Sequence, residues 1–309
     1  MFSHIVHRVL QSFAVLAVMS LLVFAGVYAV GNPMDILVNP QSDQNEIARA
    51  AAALGLDRPL LEQYFIFIRH AAAGDLGRSF AFNVPAIGLI LERMPATLEL
   101  AIAAMLIAVL LGIPLGLWAG LKPRSTAGKT IMAGSILGFS LPTFWVGIML
   151  IMVFSVWLGW LPTSGRGPTV NLIGIPVSFL TLEGLRHLVL PAANLALFNL
   201  SLVIRLTRSG TREAMQQDYV RYARAKGLTE TRIVGVHVLR NVLVPVVTVV
   251  GVEFGSVIAF AVVTESIFAW PGMGKLLIDS INVLDRPVIV GYLCIVVALF
   301  VAINLFVDL

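Results

Sequence analysis

Asp218 to Pro245 reads DYVRYARAKGLTETRIVGVHVLRNVLVP, and it separates two long apolar runs. How this stretch is read decides what kind of molecule the chain makes. Asp218 is placed to cap a helix of about two turns, YVRYARAK, and Gly227 to stop it in the left-handed conformation. Thr229 then caps a second helix, with Glu230 in its first turn, running toward Pro245. On the first helix Tyr219, Tyr222, Ala223 and Lys226 share one face by i, i+3, i+4 spacing, while Arg221 and Arg224 occupy another. A basic segment capped at both ends reads as a docking element for a partner. The competing reading is an amphipathic helix resting on anionic lipid. Against it, the non-basic face is Tyr and Ala rather than Leu and Phe.

The rest of the chain says where this segment sits. Of 309 residues, 58% are hydrophobic and 12% charged, against roughly 25% charged in soluble domains. Mean hydropathy is +0.92. The composition is that of an all-α integral membrane protein. Six segments are long and apolar enough to span: 9–30, 96–121, 131–157, 187–206, 242–267 and 288–306. The first is too long for the apolar core of a cleaved signal peptide and is read as a retained helix.

Basic residues orient the spans. The loop KPRSTAGK carries Lys122, Arg124 and Lys129 without an acid. Between Arg205 and Arg240 stand Arg208, Arg212, Arg221, Arg224, Lys226 and Arg232, opposed by Glu213, Asp218 and Glu230. The long segment 31–95 has more acids than bases. Both basic loops are therefore expected in the cytoplasm, with both termini, and Trp157 and Trp160 in an outer aromatic belt. The net charge of +4 is explained by this topology and does not point to nucleic acid. Outside, Asp43 with Glu46 forms a capping box for one short helix, Asp57 caps a second that ends before Gly74, and Pro85 to Arg93 forms a third. The expected organisation is a first span within 1–30, an outer helical segment over 31–95, and a five-helix core over 96–309 with its cytoplasmic loop at 211–241.

Chemistry-bearing motifs are sparse. The single cysteine, Cys294, lies in an apolar run, and His4, His7, His70, His187 and His237 lack metal-ligand spacing. No metal site is expected. The tripeptide GKT at 128–130 resembles the end of a phosphate-binding loop, but Pro123 stands where that loop needs its first glycine, and no strand precedes it. Energy for any transport must come from elsewhere. Glu253 and Glu265 fall within or at the end of the fifth run, and Asn194 and Asn199 within the fourth; all four are candidates to line a pore or to join helices. Pro114, Pro142 and Pro191 interrupt spans, and glycines recur at 112 and 116 and at 134 and 138, which suits hinges or close helix packing. After the fifth span, WPGMGK (Trp270, Pro271, Gly272, Gly274) is either a tight outer turn or part of a gate.

The opening stretch also resembles a known family. YVRYARAKGLTETRIVGVHVLRNVLVPVVT is similar to the cytoplasmic EAA loop of binding-protein-dependent ABC importer permeases. The match is best to the dipeptide, oligopeptide and nickel group, through Ala225, Lys226, Gly227, His237, Leu239, Arg240, Asn241 and Pro245. LGLDRPLLEQY, GDLGRSF, MPATLELA, RLTRSGTREAMQQDY and TESIFAWPGMG extend the resemblance along nearly the whole chain, closest to the first membrane subunit of dipeptide-type permeases. The resemblance implies a six-helix permease of the type I ABC importer fold, paired with a second, similar permease subunit. Two ATPase subunits would bind ATP and magnesium beneath the pair, and a solute-binding protein would deliver cargo outside. Asp218, Tyr219, Arg221, Tyr222, Ala223, Arg224, Ala225, Lys226 and Gly227 would then form the coupling helix. The chain itself would hold no cofactor and catalyse no chemistry. Expected cargo is dipeptides or short oligopeptides; nickel chelates, glutathione or opines would fit the same architecture. An ion-coupled secondary transporter is the rival of a different class, but no internal repeat supports it.

Overall fold

The computed structural model describes residues 2–29 and 58–308. The helix expected to start at Asp43, and Asp57 itself, lie outside them. The chain forms two compact units, one of residues 1–95 with 271–309 and one of residues 96–270.

In the first unit, α1 (Phe2–Ala29) packs along α10 (Arg286–Asp308), and α9 (Met273–Asn282) packs against α10 as well. The short outer helix α2 (Leu60–Ala72) touches α1, with the Phe24 and Tyr64 rings edge to face at 5.3 Å. Pro59 precedes α2 and Gly74, at φ +77°, follows it, so the expected second outer helix is present. The third is not a separate element. Ala86 to Leu121 is one helix, α3, whose first turns belong to this unit. Pro95 was the natural place to end a helix, but membrane helices tolerate proline where neighbouring groups re-satisfy the freed carbonyl. The buried Asp285 carboxylate ties the segment before α3 to that before α10. It accepts hydrogen bonds from the Ser79 hydroxyl and from the Phe80 and Ala81 amides.

The second unit is built on α6 (Leu182–Ala214) and α8 (Leu239–Ile267), which pack along each other. Thr181 caps α6 by accepting from the Gly184 amide at 2.9 Å, with Glu183 in the first turn. The expected third span is broken. α4 (Thr126–Ser140) and α5 (Thr143–Leu150, continued by a π-helical stretch to Trp157) meet at 108°. Pro142 interrupts the helix here: it has no amide to donate, and Leu141 before it is extended at φ −80°, ψ 134°. Both halves pack against α6. The recurrent glycines of α3 do pack closely. A Cβ on Gly112, Gly116 or Gly120 would come within 2.7, 2.5 and 2.7 Å of Val203, Thr207 and Thr211, spaced four apart on α6.

The described residues also include one pair of strands. β1 (Val170–Leu172) and β2 (Ile175–Val177) form an antiparallel hairpin. Its two-residue turn, Ile173–Gly174, has positive φ at both positions, 53° and 82°, the twist that suits two-residue hairpins. Among the described residues four helices, α3, α6, the run from Glu230 through α8, and α10, are each long and apolar enough to cross a membrane, and α4–α5 makes a fifth if counted as one bent span. In α1 the apolar part is Leu10–Gly26.

Candidate functional site

Two places in the second unit bring candidate residues together: the basic loop and a cavity between α6 and α8.

The loop is an ordered structure. α6 ends at Ala214, and α7 (Asp218–Ala225) follows after a short turn. Gln217 is the residue at the N-cap, with no side-chain bond; Asp218 is the first helical residue rather than the cap. It pairs instead with Arg221 at 3.4 Å and favours the helix start through its charge. The C-terminus closes as expected at Gly227, φ +78°. The Leu228 amide donates to the Ala223 carbonyl at 3.2 Å and the Gly227 amide to the Arg224 carbonyl at 2.9 Å. These are the 6→1 and 5→2 bonds of a Schellman ending, and Leu228 adds its apolar contact. A single helical turn, Glu230–Arg232, and a π-helical stretch, Ile233–Val238, lead into α8. Arg224 donates to Glu230 at 2.6 Å across the Gly227 turn. That hydrogen bond holds the exposed Glu230 carboxyl below the usual glutamate range.

Ala223 corrects the face assignment. It is buried, together with Val220, in an apolar cluster with Ile233, Val238, Val242 and Val246. The helix therefore sits on its own chain through Val220 and Ala223. The outward surface belongs to Tyr219, Tyr222, Arg221, Arg224, Ala225 and Lys226. Tyr222 is 65% exposed, with the Lys226 ammonium 4.7 Å over its ring. Sequence spacing placed Ala223 beside Tyr219 and Tyr222 correctly, but on a two-turn helix the same arc also borders the inward side. Further on, Asn241 donates to the His237 carbonyl at 3.1 Å, Leu239 is half-buried, and Arg240 and Pro245 are exposed.

The cavity, about 480 Å³, is lined from α6 by Leu195, Phe198 and Asn199 and from α8 by residues including Glu253, Ser256, Val257, Phe260 and Thr264. The α8 positions recur at i, i+3, i+4 and i+7, one helix face. Of the four polar candidates, Asn199 and Glu253 reach this cavity. Asn194 does not: it is buried and donates to the Thr264 hydroxyl at 3.0 Å, a helix-joining bond. Glu265 does not either; it is fully buried and accepts from the Thr97 hydroxyl at 2.6 Å. Trp270 is fully buried as well. Its indole donates to the Ala96 carbonyl at 2.8 Å and its amide to the Glu265 carbonyl at 2.8 Å. Pro271, Gly272 and Gly274 lie in the other unit, where Gly272 precedes α9.

One pair was not foreseen. Glu99 on α3 is buried and accepts from Arg166 Nε at 2.9 Å, from the Ser178 amide and hydroxyl at 2.8 and 2.7 Å, and from the Phe179 amide at 2.8 Å. Arg166 also donates to the Pro176 carbonyl at 2.6 Å. The carboxylate thus holds down the loop that carries the hairpin. An acid inside an apolar run was the available signal; its partner, far along the chain, was not.

Two family models match. Residues 112–309 match the binding-protein-dependent transport system inner membrane component, and residues 1–101 match the N-terminal part of the same kind of component. The chain is 41% identical over 304 residues to the di/tripeptide transport system permease protein of Pseudomonas aeruginosa, covering 94% of this chain and 90% of that one. It is 38% identical to the dipeptide transport system permease protein of Escherichia coli K12, covering 94% and 91%. Among solved structures, a chain of the MetNI methionine ABC transporter in inward-facing conformations superposes with a TM-score of 0.53 at 15% identity, covering 71% of this chain and 93% of that one. At that identity the likeness concerns the fold alone. With family models matching along nearly its whole length, the chain belongs to the inner membrane components of binding-protein-dependent transport systems.

Proposed function

We propose that this chain forms half of the translocation pore of an ATP-driven importer of dipeptides or short oligopeptides. α1, α3, α4–α5, α6, α8 and α10 make six spans, with both termini in the cytoplasm. A second, similar permease subunit completes the pore. Two ATPase subunits, which hold ATP and magnesium, engage α7 from the cytoplasm, and a solute-binding protein presents cargo on the outer face. The observation that carries the reading is the mounting of α7. A short helix fixed by its own Schellman ending and by Val220 and Ala223, with Tyr222 and Lys226 turned outward, is built to pass a push to α8. Peptide cargo rests on what the relatives are named for.

The test is uptake in proteoliposomes containing this chain, its second permease subunit and the ATPases, with loaded binding protein outside. Dipeptide uptake should need internal ATP, stop with vanadate and survive a protonophore. Uptake that survives vanadate and collapses with the protonophore would overturn the ATP-driven reading. Accumulation of nickel chelates, glutathione or opines in place of peptides would overturn the cargo.

A further inference from the structure

The cavity between α6 and α8 has a chemical bias. Glu253 lies midway along α8 between Leu239 and Ile267, the depth at which a carboxylate is hardest to accommodate. Glu253 is half-buried, and among the described residues it has no hydrogen bond or ion pair, whereas the two buried acids of this unit are bonded: Glu99 accepts five hydrogen bonds from Arg166, Ser178 and Phe179, and Glu265 has the Thr97 hydroxyl. Across the cavity Asn199 is 5% exposed, and its buried side-chain oxygen has no donor. Two acceptors without donors therefore share one cavity, with the Thr143 and Ser256 hydroxyls, which can donate or accept, beside them. The remaining wall is apolar, largely Leu195, Phe198, Val257 and Phe260. A ligand that completes this set must bring several N–H donors and a positive charge on one small group, with apolar or variable surface around it.

We propose that Glu253, with Asn199, receives the α-ammonium group of the transported peptide on its way through the membrane. The assignment deepens the peptide-import reading and rests on it. An ammonium offers three donors and cancels the carboxylate charge. It is also the cationic group that peptides of every sequence share, so one carboxylate can recognise all of them while the apolar wall meets side chains of any kind. Glu265 is not available for this role, because it is fully buried against Thr97. A lysine or arginine of the facing permease subunit has the same chemistry, and the experiment separates the two sources.

The experiment uses the complete complex with Glu253→Gln and Glu253→Asp variants of this chain. Uptake of radiolabelled alanyl-alanine is followed at saturating loaded binding protein, and subunit ratios are measured after purification. Binding of alanyl-alanine and of N-acetyl-alanyl-alanine is measured on the same complex without binding protein. Glu253→Gln should lower uptake about 10-fold or more with the two permease subunits still in equal ratio, and Glu253→Asp should restore much of it. The wild-type complex should prefer the free amine, and Glu253→Gln should lose that preference. Wild-type uptake by Glu253→Gln, or equal binding of both peptides to the wild type, overturns the assignment while leaving peptide import standing. Loss of the second permease subunit from Glu253→Gln also overturns it, in favour of a cation from that subunit. A wild-type complex that imports no peptide overturns the import reading itself, and this assignment with it.

Discussion

Ala223 and Tyr222 are neighbours on α7 with opposite exposure, and that difference can be measured. Ala223 is 6% exposed in a cluster of Val, Ile and Leu side chains, and Tyr222 is 65% exposed. Ala223→Asp places a carboxylate without a partner in that cluster, at a cost on the order of 3 kcal/mol. It should strip hydrogen-exchange protection from residues 218–246 in the isolated chain, with no ATPase subunit present. Tyr222→Ala removes only outward surface. It should keep that protection, yet co-purify with less ATPase and uncouple ATP hydrolysis from uptake. Wild-type exchange in Ala223→Asp would refute the packing, and wild-type coupling in Tyr222→Ala would refute the docking face. The residues that end α7 were legible in the sequence because Gly227 answers to local geometry. The inward turn of Ala223 was not, since it depends on Ile233, Val238 and Val242, which reach α7 only when the chain folds back.

Among the elements, the contact of α3 with α6 rests on three glycines that let two helices approach within the reach of a methyl group. Gly116 is the tightest, with a Cβ at 2.5 Å from Thr207 Cβ and 2.8 Å from the Ile204 carbonyl oxygen. Gly116→Ala must push the helices apart and should destabilise the purified permease by about 1–3 kcal/mol, read as a lower melting temperature in detergent. Gly134→Ala is the control, because a Cβ there meets nothing within 4 Å of its own chain. Equal melting of the two variants would contradict the packing. The glycine spacing was visible in the sequence, but its two instances looked alike, and only one is closed along its length. Pro142 shows the opposite limit. A proline within an apolar run marks a hinge in the sequence, whereas the 108° bend depends on α4 and α5 each finding a seat on α6.

At the scale of the whole molecule, six apolar runs and the distribution of Lys and Arg define a topology that composition alone could suggest. Among the described residues five spans stand out by length and apolar character, counting α4–α5 as one, and α1 contributes a shorter apolar stretch, Leu10–Gly26. If both basic loops lie inside, an odd number of crossings puts the termini on opposite sides, so α1 decides between six spans and five. The chain's single cysteine, Cys294, simplifies the test. In a Cys294→Ser background, single cysteines at Thr126, Thr229, Ala73 and Ser164 probe exposed positions in the two basic loops, after α2 and before the hairpin. A membrane-impermeant maleimide on intact spheroplasts should label Ala73→Cys and Ser164→Cys at once, and Thr126→Cys and Thr229→Cys only after the membrane is opened. A cysteine added ahead of α1 should behave like the second pair if α1 crosses. Immediate labelling there, with Ala73→Cys also labelled, would leave α1 on the outer surface and reduce the count to five. Immediate labelling of Thr229→Cys would be more damaging, because α7 would then face away from any cytoplasmic ATPase and the coupling assignment would fall with the topology.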